Sequence, residues 1–360
     1  MKLVYLSPVP WNSMSQRPHF FIQHAFHAGV KEIIWVEPYP GRLPNLGDLI
    51  PGRHAREPAS KRTFINFTVV PVPAVFPIEP FHFLFKIFNK GSLEFVKKQV
   101  NEFKDENTIL VIGKPSLLAL ELSKQSGWKS IFFDAMDNYP AFFKGYSSFS
   151  MANIEKKIAS TVNTVICTSH PLQEKFSRFT NVELCLNACT SDFVTGLRRE
   201  RIESGRGVVF GYVGTIASWF DWNWVIELAE LNPSSKIRLI GPLKTLKPIN
   251  LPKNILIEKA ISHDEVPIVL SHIDVGLIPF QINDITRFVD PIKFYEYSAK
   301  KIPLLSTRFG EMFWHNKKIE GRRTDCPFKV PNDTLYFCED SLESVTWEER
   351  FSELFPKIFV

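Results

Sequence analysis

The chain has 360 residues, and at roughly 150 residues per domain that length points to two domains. Hydrophobic residues make up 44% of it and charged residues 22%, which excludes a disordered, collagenous or disulfide-stapled chain. Its 43 Lys and Arg against 38 Asp and Glu leave a net charge of +5 with no basic stripe, which argues against a dedicated nucleic-acid binder and fits anionic small molecules or an anionic membrane surface.

The first residues, MKLVYLSPVPW, form a short apolar run interrupted by prolines, which reads as a first buried strand rather than a secretory signal. Strands are predicted at Lys2–Ser7, Glu32–Pro38, Phe67–Pro73, Thr108–Gly113, Ser130–Met136 and Thr164–Ser169, each a short apolar β-branched run. Helices fall between them. Pro18–Gly29 and Pro115–Gly127 both begin with proline and close on glycine, the expected asymmetry of helix ends. The first half, 1–187, is thereby a doubly wound α/β domain.

Three stretches of that half carry chemistry. The Trp11–His19 loop offers Gln16, Arg17 and His19 as polar groups for a bound ligand, with His19 equally placed to cap the first helix. Ala74–Val100 holds Phe76, Phe81, Phe83, Phe85, Phe88 and Phe95 among Lys86, Lys90, Lys97 and Lys98. Aromatics flanked by lysines compose a helix lying in a membrane interface, and equally a core helix pair whose rings pack inward. The strand at Ser130 runs into Asp134 and Asp137, followed by Asn138 and Tyr139. Acids at the carboxyl end of a parallel strand face the ligand crevice, where one can act as a general base; the alternative is that both cap the following helix.

From Asn187 to Gly207 the chain turns polar, basic and glycine-containing, as a linker does. A second alternation follows, with strands at Val208–Gly214, Lys236–Pro242, Asn254–Ala260, Asp274–Phe280 and Ile302–Thr307 and helices over Trp222–Leu231, Asp264–His272 and Pro291–Lys300. It predicts a second doubly wound domain over 188–340 facing the first across a cleft, and a helical tail over 341–360 packing back toward the first. No window offers about 18 apolar residues, so no membrane span is expected. Cys167, Cys185, Cys189, Cys326 and Cys338 contain no C-x-x-C pair, which speaks against structural zinc and for a reducing compartment.

The segment Asp274–Thr307 is the richest. A strand ends at Pro279, a polar loop follows, and a helix begins at Pro291. The free N–H groups and positive partial charge of a helix start suit an anion. Lys293 in the first turn and Arg287 in the loop add full charges toward a phosphate, and Glu296 suits bidentate bonds to ribose hydroxyls. The same residues also read as an ordinary amphipathic helix with a Lys–Glu pair. Gly211 and Gly214 form no G-x-G-x-x-G, so a nicotinamide cofactor is not expected, and His263, Asp264 and His272 lack a third ligand for a metal.

That segment, DVGLIPFQINDITRFVDPIKFYEYSAKKIPLLST, resembles the nucleotide-sugar-binding signature of the GT-B glycosyltransferases of bacterial cell-surface polysaccharide biosynthesis. Other stretches agree in order. Trp11–Pro38 resembles the family's W…Q-R-P-H opening, Val165–Phe176 its last N-domain strand, and Leu186–Phe193 its inter-domain N-G-V-D-x-x-F element. Val213–Pro233 resembles its first C-domain strand with the glycine turn at Gly214, and Ile237–Pro242 the next strand. There are departures. Many retaining relatives carry a glutamate eight residues before the position of Glu296, where this chain has Phe288, and the usual arginine after the first C-domain strand is replaced by the Thr215–Ile216 region. The chain looks more like the subgroup of xanthan-type glucuronosyltransferases.

The resemblance implies two Rossmann-like domains and transfer of a hexose-type sugar from a nucleoside diphosphate sugar, with uracil as the base, to a glycan or polyprenyl-linked saccharide. It implies the base at Asp137 with Asp134 as structural partner, the diphosphate at Lys293, the ribose at Glu296, the nucleobase near Ile261, and the acceptor or the donor sugar at Gln16, Arg17 and His19. It implies no cofactor and no metal, because a helix end and basic residues stabilise the leaving diphosphate. A cytoplasmic enzyme, peripheral on the inner face of the membrane through Phe76–Lys98, is expected. Two other functions stay open: a UDP-sugar 2-epimerase, and a non-catalytic sugar-nucleotide-binding partner subunit.

Overall fold

The computed structural model describes residues 1–41, 43, 64–195, 207–319 and 325–359, and the chain divides into two compact units. Unit 1 comprises Met1–Thr168, Leu172–Cys185 and Phe351–Val360; unit 2 comprises Ser169–Pro171 and Leu186–Arg350. Both are α/β units with a doubly wound, mostly parallel sheet, the fold class read from the sequence.

Unit 1 runs β1 (Lys2–Leu6), α1 (Arg17–His27), β2 (Glu32–Val36), β3 (Phe67–Val70), α2 (His82–Phe88), α3 (Lys90–Phe103), β4 (Thr108–Ile112), α4 (Leu117–Ser123), β5 (Ser130–Ala135), α5 (Gly145–Ala159), β6 (Thr164–Cys167), α6 (His170–Phe176) and β7 (Asn181–Leu184). The strands lie in the order β3-β2-β1-β4-β5-β6-β7, all paired in parallel. The direction of winding reverses between β1 and β4, which puts a ligand crevice at their carboxyl ends. Every residue of β4 is buried, as continuous apolar runs covered on both faces should be.

Elements end earlier than the apolar runs that announced them. Proline at 71 and 73 closes β3 at Val70, because a residue without an N–H cannot extend the ladder. α1 starts at Arg17, with Gln16 and His19 closing a reciprocal capping box. The edge strand β7, NVEL, is not among the predicted strands: its polar–apolar alternation runs over only four residues, and it is largely half-exposed.

Unit 2 runs α7 (Ser191–Thr195), β8 (Val209–Val213), α8 (Trp222–Leu231), β9 (Lys236–Ile240), β10 (Ile255–Glu258), α9 (Val266–Ser271), β11 (Val275–Ile278), α10 (Ile292–Ala299), β12 (Leu304–Thr307), α11 (Gly310–Lys318) and β13 (Thr334–Phe337), followed by α12 (Trp347–Ile358). Its sheet order is β10-β9-β8-β11-β12-β13, with β13 antiparallel to β12. The reversal falls between β8 and β11. The predicted linker contains α7, and its 196–206 portion lies outside the described residues. The predicted helical tail becomes a short 3-10 turn at Glu339–Ser341 and then α12, whose Trp347, Phe351, Leu354, Phe355 and Ile358 are buried, an apolar stripe at helical spacing. Among the described residues no helix is long and apolar enough to cross a membrane.

Candidate functional site

In unit 2 the candidate residues gather at the carboxyl ends of the central strands. β8 ends at Val213 and β9 at Ile240, and each is followed by a glycine. The amide of Gly214 donates to the Ile240 carbonyl at 2.9 Å. Gly241 has φ +145, and a Cβ there would stand 2.1 Å from the Gly214 carbonyl oxygen, so only glycine fits. A Cβ on Gly214 would come within 3.2 Å of Lys293 Cε, which sets this backbone turn against the first turn of α10.

Lys293 Nζ pairs with Glu296 Oε2 at 2.8 Å, and the two side chains are 23% and 5% exposed. The sequence expected these residues to face a phosphate and a ribose; the structure brings them together with Gly214. Arg287 is exposed on the turn Thr286–Phe288, and Ile261 is half-buried against the core of unit 2. Neither bonds to Lys293 or Glu296 among the described residues.

α10 is anchored by a residue that the sequence reading passed over. Asp290 receives the Asn187 amide at 2.7 Å and the Tyr295 hydroxyl at 2.8 Å on Oδ2, and His315 Nε2 lies 3.1 Å from Oδ1. A carboxylate at a helix start also answers the helix dipole. Beside it, Glu311 meets the backbone amide and Nδ1 of His170 at 2.8 and 2.6 Å. Burial pushes the Glu311 carboxyl up to about 8, the Asp290 charge adds to the rise, and His315 opposes it.

In unit 1, Asp134 at the end of β5 is fully buried and paired with Arg17. Asp137, two residues beyond the strand, is only half-buried. Its carboxyl group makes no hydrogen bond or ion pair among the described residues, and its partial burial pushes it up to about 7. Neither acid caps the short 3-10 turn Tyr139–Phe142 that follows; its cap residue is Asn138. An acid poised near neutrality can accept a proton at physiological pH.

The opening loop departs from expectation. Arg17 and His19 are 3% and 2% exposed. Arg17 serves Asp134 and the Cys185 carbonyl, and His19 meets the Gln16 amide at 3.1 Å and the Trp11 carbonyl at 3.2 Å. Both side chains are turned into the unit, so of the three candidates for sugar binding only Gln16 is exposed.

The phenylalanine-rich segment divides. Phe85 is buried in the core, whereas Phe76, Phe81, Phe83, Phe88 and Phe95 are exposed together with Leu84 and Ile87. The start of α5 extends this face beyond what the sequence singled out. Tyr146 lies 5.6 Å from Phe81 and 6.3 Å from Phe149, ring to ring, and both α5 rings are exposed. Lys86, Lys90, Lys98 and Lys144 are exposed within these segments. No group of three or more His, Cys, Asp or Glu able to hold a metal occurs among the described residues.

No protein-family model matches the chain. A glycosyltransferase named for teichuronic acid biosynthesis, TuaH of Bacillus subtilis (strain 168), is 21% identical over 207 residues, 52% of this chain and 52% of that protein. The match thus spans about half the length of that relative. Among solved structures, the lipopolysaccharide outer core galactosyltransferase WaaB has a TM-score of 0.61 at 12% identity, covering 99% of this chain and 100% of that one. WaaG, a glycosyltransferase involved in lipopolysaccharide biosynthesis, has a TM-score of 0.57 at 12% identity, covering 99% and 90%. At such identities the likeness establishes the fold, the two-sheet GT-B arrangement.

Proposed function

We propose that this chain is a glycosyltransferase that moves a sugar from a nucleoside diphosphate sugar, with UDP as carrier, to a glycan or lipid-linked saccharide in surface polysaccharide biosynthesis. The observation that carries the reading is Asp137, an unpartnered carboxyl group held near neutrality just past a central parallel strand in a chain of GT-B fold. The relative named for teichuronic acid biosynthesis supports the substrate class.

The acceptor hydroxyl attacks the anomeric carbon of the donor while Asp137 takes its proton, and the bond from that carbon to the diphosphate oxygen breaks. Unit 2 holds the donor. Lys293 and the amides opening α10 meet the negative charge that grows on the leaving diphosphate, and Glu296 binds the ribose. Arg287 reaches the phosphates from its loop, and the backbone near Ile261 reads the base. Gln16 contacts the acceptor. These positive groups serve the leaving group without a cofactor or a metal.

The enzyme works in the cytoplasm, held at the inner membrane face by Phe76–Lys98. The exposed rings of that segment and the lysines among them support this placement, since rings enter the acyl boundary while lysines meet anionic headgroups.

The test is incubation with a panel of UDP- and GDP-sugars and saccharide acceptors, followed by mass spectrometry of the nucleotides. Acceptor-dependent release of a nucleoside diphosphate is expected. Absence of nucleotide release from every donor in the panel would make the chain a binding subunit, and a changed sugar still attached to UDP would make it an epimerase.

A further inference from the structure

The turn Asp137–Tyr139 is fastened from several elements of unit 1. Lys175 of α6 donates from Nζ to Asn138 Oδ1 at 2.8 Å and to Glu155 Oε2 of α5 at 2.5 Å. The Glu155 side chain is 3% exposed and that of Lys175 17%, and the Tyr139 amide also favours the Glu155 carboxylate. The Tyr139 hydroxyl donates to the Gly113 carbonyl just past β4 at 2.5 Å. Only the Asp137 carboxylate, at the head of the turn, is left without a bond among the described residues.

A buried Lys–Glu pair is a weak source of stability, because desolvation offsets most of the attraction. Here the lysine also bonds to the side chain adjoining the candidate base. A carboxylate with no bonds of its own is aimed by its backbone, so whatever fixes the neighbouring residue fixes the base.

Resting on the reading of Asp137 as that base, we propose that Lys175 is a positioning residue for the transfer: anchored by Glu155, it grips Asn138 and thereby sets the direction of the Asp137 carboxylate. The titratable groups around the turn are Tyr139 on it, Asp134 on β5, Cys167 on β6, Glu155 on α5 and Lys175 on α6.

The experiment compares turnover across pH for the full chain and its Lys175→Met, Lys175→Arg, Asn138→Ala and Asp137→Asn variants. Lys175→Met and Asn138→Ala should each lose about tenfold to hundredfold in kcat with donor KM unchanged, the scale of a misplacement of about 1 Å. In Asn138→Ala, which removes no charge, the acidic limb of the profile should move below its wild-type position, because a loosened turn admits water to Asp137 and returns it toward an ordinary carboxyl group. Lys175→Arg can still bridge Glu155 and Asn138 and should recover part of the turnover. Lys175→Met combined with Asn138→Ala should lose no more than the worse single variant, since both act through one contact.

Asn138→Ala leaves the Lys175–Glu155 pair in place and carries the test if Lys175→Met does not fold. A wild-type limb and unchanged kcat per folded molecule, with or without a lower melting temperature, would overturn the proposal. Normal turnover in Asp137→Asn would instead overturn the base assignment, and the positioning role with it.

Discussion

Arg17 Nε donates to Asp134 Oδ1 at 3.0 Å, and the two side chains are 3% and 0% exposed. Charges this deep are tolerated because their neighbours answer them: the Tyr5 hydroxyl donates to Asp134 Oδ2 at 3.0 Å, and Arg17 Nη1 donates to the Cys185 carbonyl at 3.0 Å. Removing one partner strands the other. Asp134→Asn and Arg17→Met should each lower stability by about 3–5 kcal/mol in urea unfolding. Arg17→Met combined with Asp134→Leu should lose less than either alone, because no charge is left uncompensated.

Donor binding should depend on Lys293. Loss of a charge-assisted bond to a phosphate costs about 1.5–3 kcal/mol, so Lys293→Ala should weaken UDP by roughly tenfold to a hundredfold in calorimetry. Glu296 sits at 2.8 Å from Lys293, and Glu296→Gln should weaken the nucleoside diphosphate more than inorganic diphosphate, which lacks the ribose. An unchanged UDP affinity in Lys293→Ala would remove the phosphate site from this helix start.

Asp137 predicts opposite effects on activity and stability. Asp137→Asn should reduce turnover by roughly 10²–10⁴-fold with donor binding retained, and wild-type turnover should rise as pH climbs through about 7. A carboxyl group raised in the folded state binds its proton more tightly there than when unfolded. Between the unfolded value and about 7, rising pH therefore costs stability as the group is forced to ionise. Asp137→Asn should melt higher than the wild type at pH 8 and at the same temperature at pH 4. A variant less stable than wild type at pH 8 would contradict the isolation of this carboxyl group.

Membrane binding should follow both ring clusters of unit 1. Liposome flotation should recover the protein with anionic vesicles at low salt and less at high salt, since each lysine near the surface contributes about 1 kcal/mol. Phe83→Glu, at 75% exposure, and Phe149→Glu, at 63%, should each reduce flotation without changing the melting temperature. Absence from anionic and neutral vesicles alike would leave the aromatic face without this role.

What the sequence makes legible depends on how far apart partners lie. β4 reads directly because all its residues are apolar apart from Thr108 and all are buried. Lys293 and Glu296 are three apart on one helix, so their meeting is written in the spacing. Arg17 finds Asp134 across 117 positions and Lys175 finds Asn138 across 37; such pairings are set by strand order, which no local pattern encodes. Hence Arg17 reads as a free cation in sequence and is a buried one in the structure. The phenylalanines pose a related difficulty: composition is the same for a ring at 0% exposure, Phe85, and for one at 75%, Phe83, and only the packing of α2 separates them.

The rings of α12 impose an order on biosynthesis. Phe21, buried in α1, has Phe351 and Phe355 at 5.5 and 5.1 Å, and Arg17 lies over the Phe351 ring at 5.6 Å. A chain emerging from the ribosome makes α1 long before these rings, so α1 carries an uncovered aromatic face until Phe351 and Phe355 have been made. Folding of unit 1 therefore waits for residues made after unit 2 rather than proceeding domain by domain, and a nonsense codon before Phe351 would leave α1 without its cover and expose the protein to proteolysis.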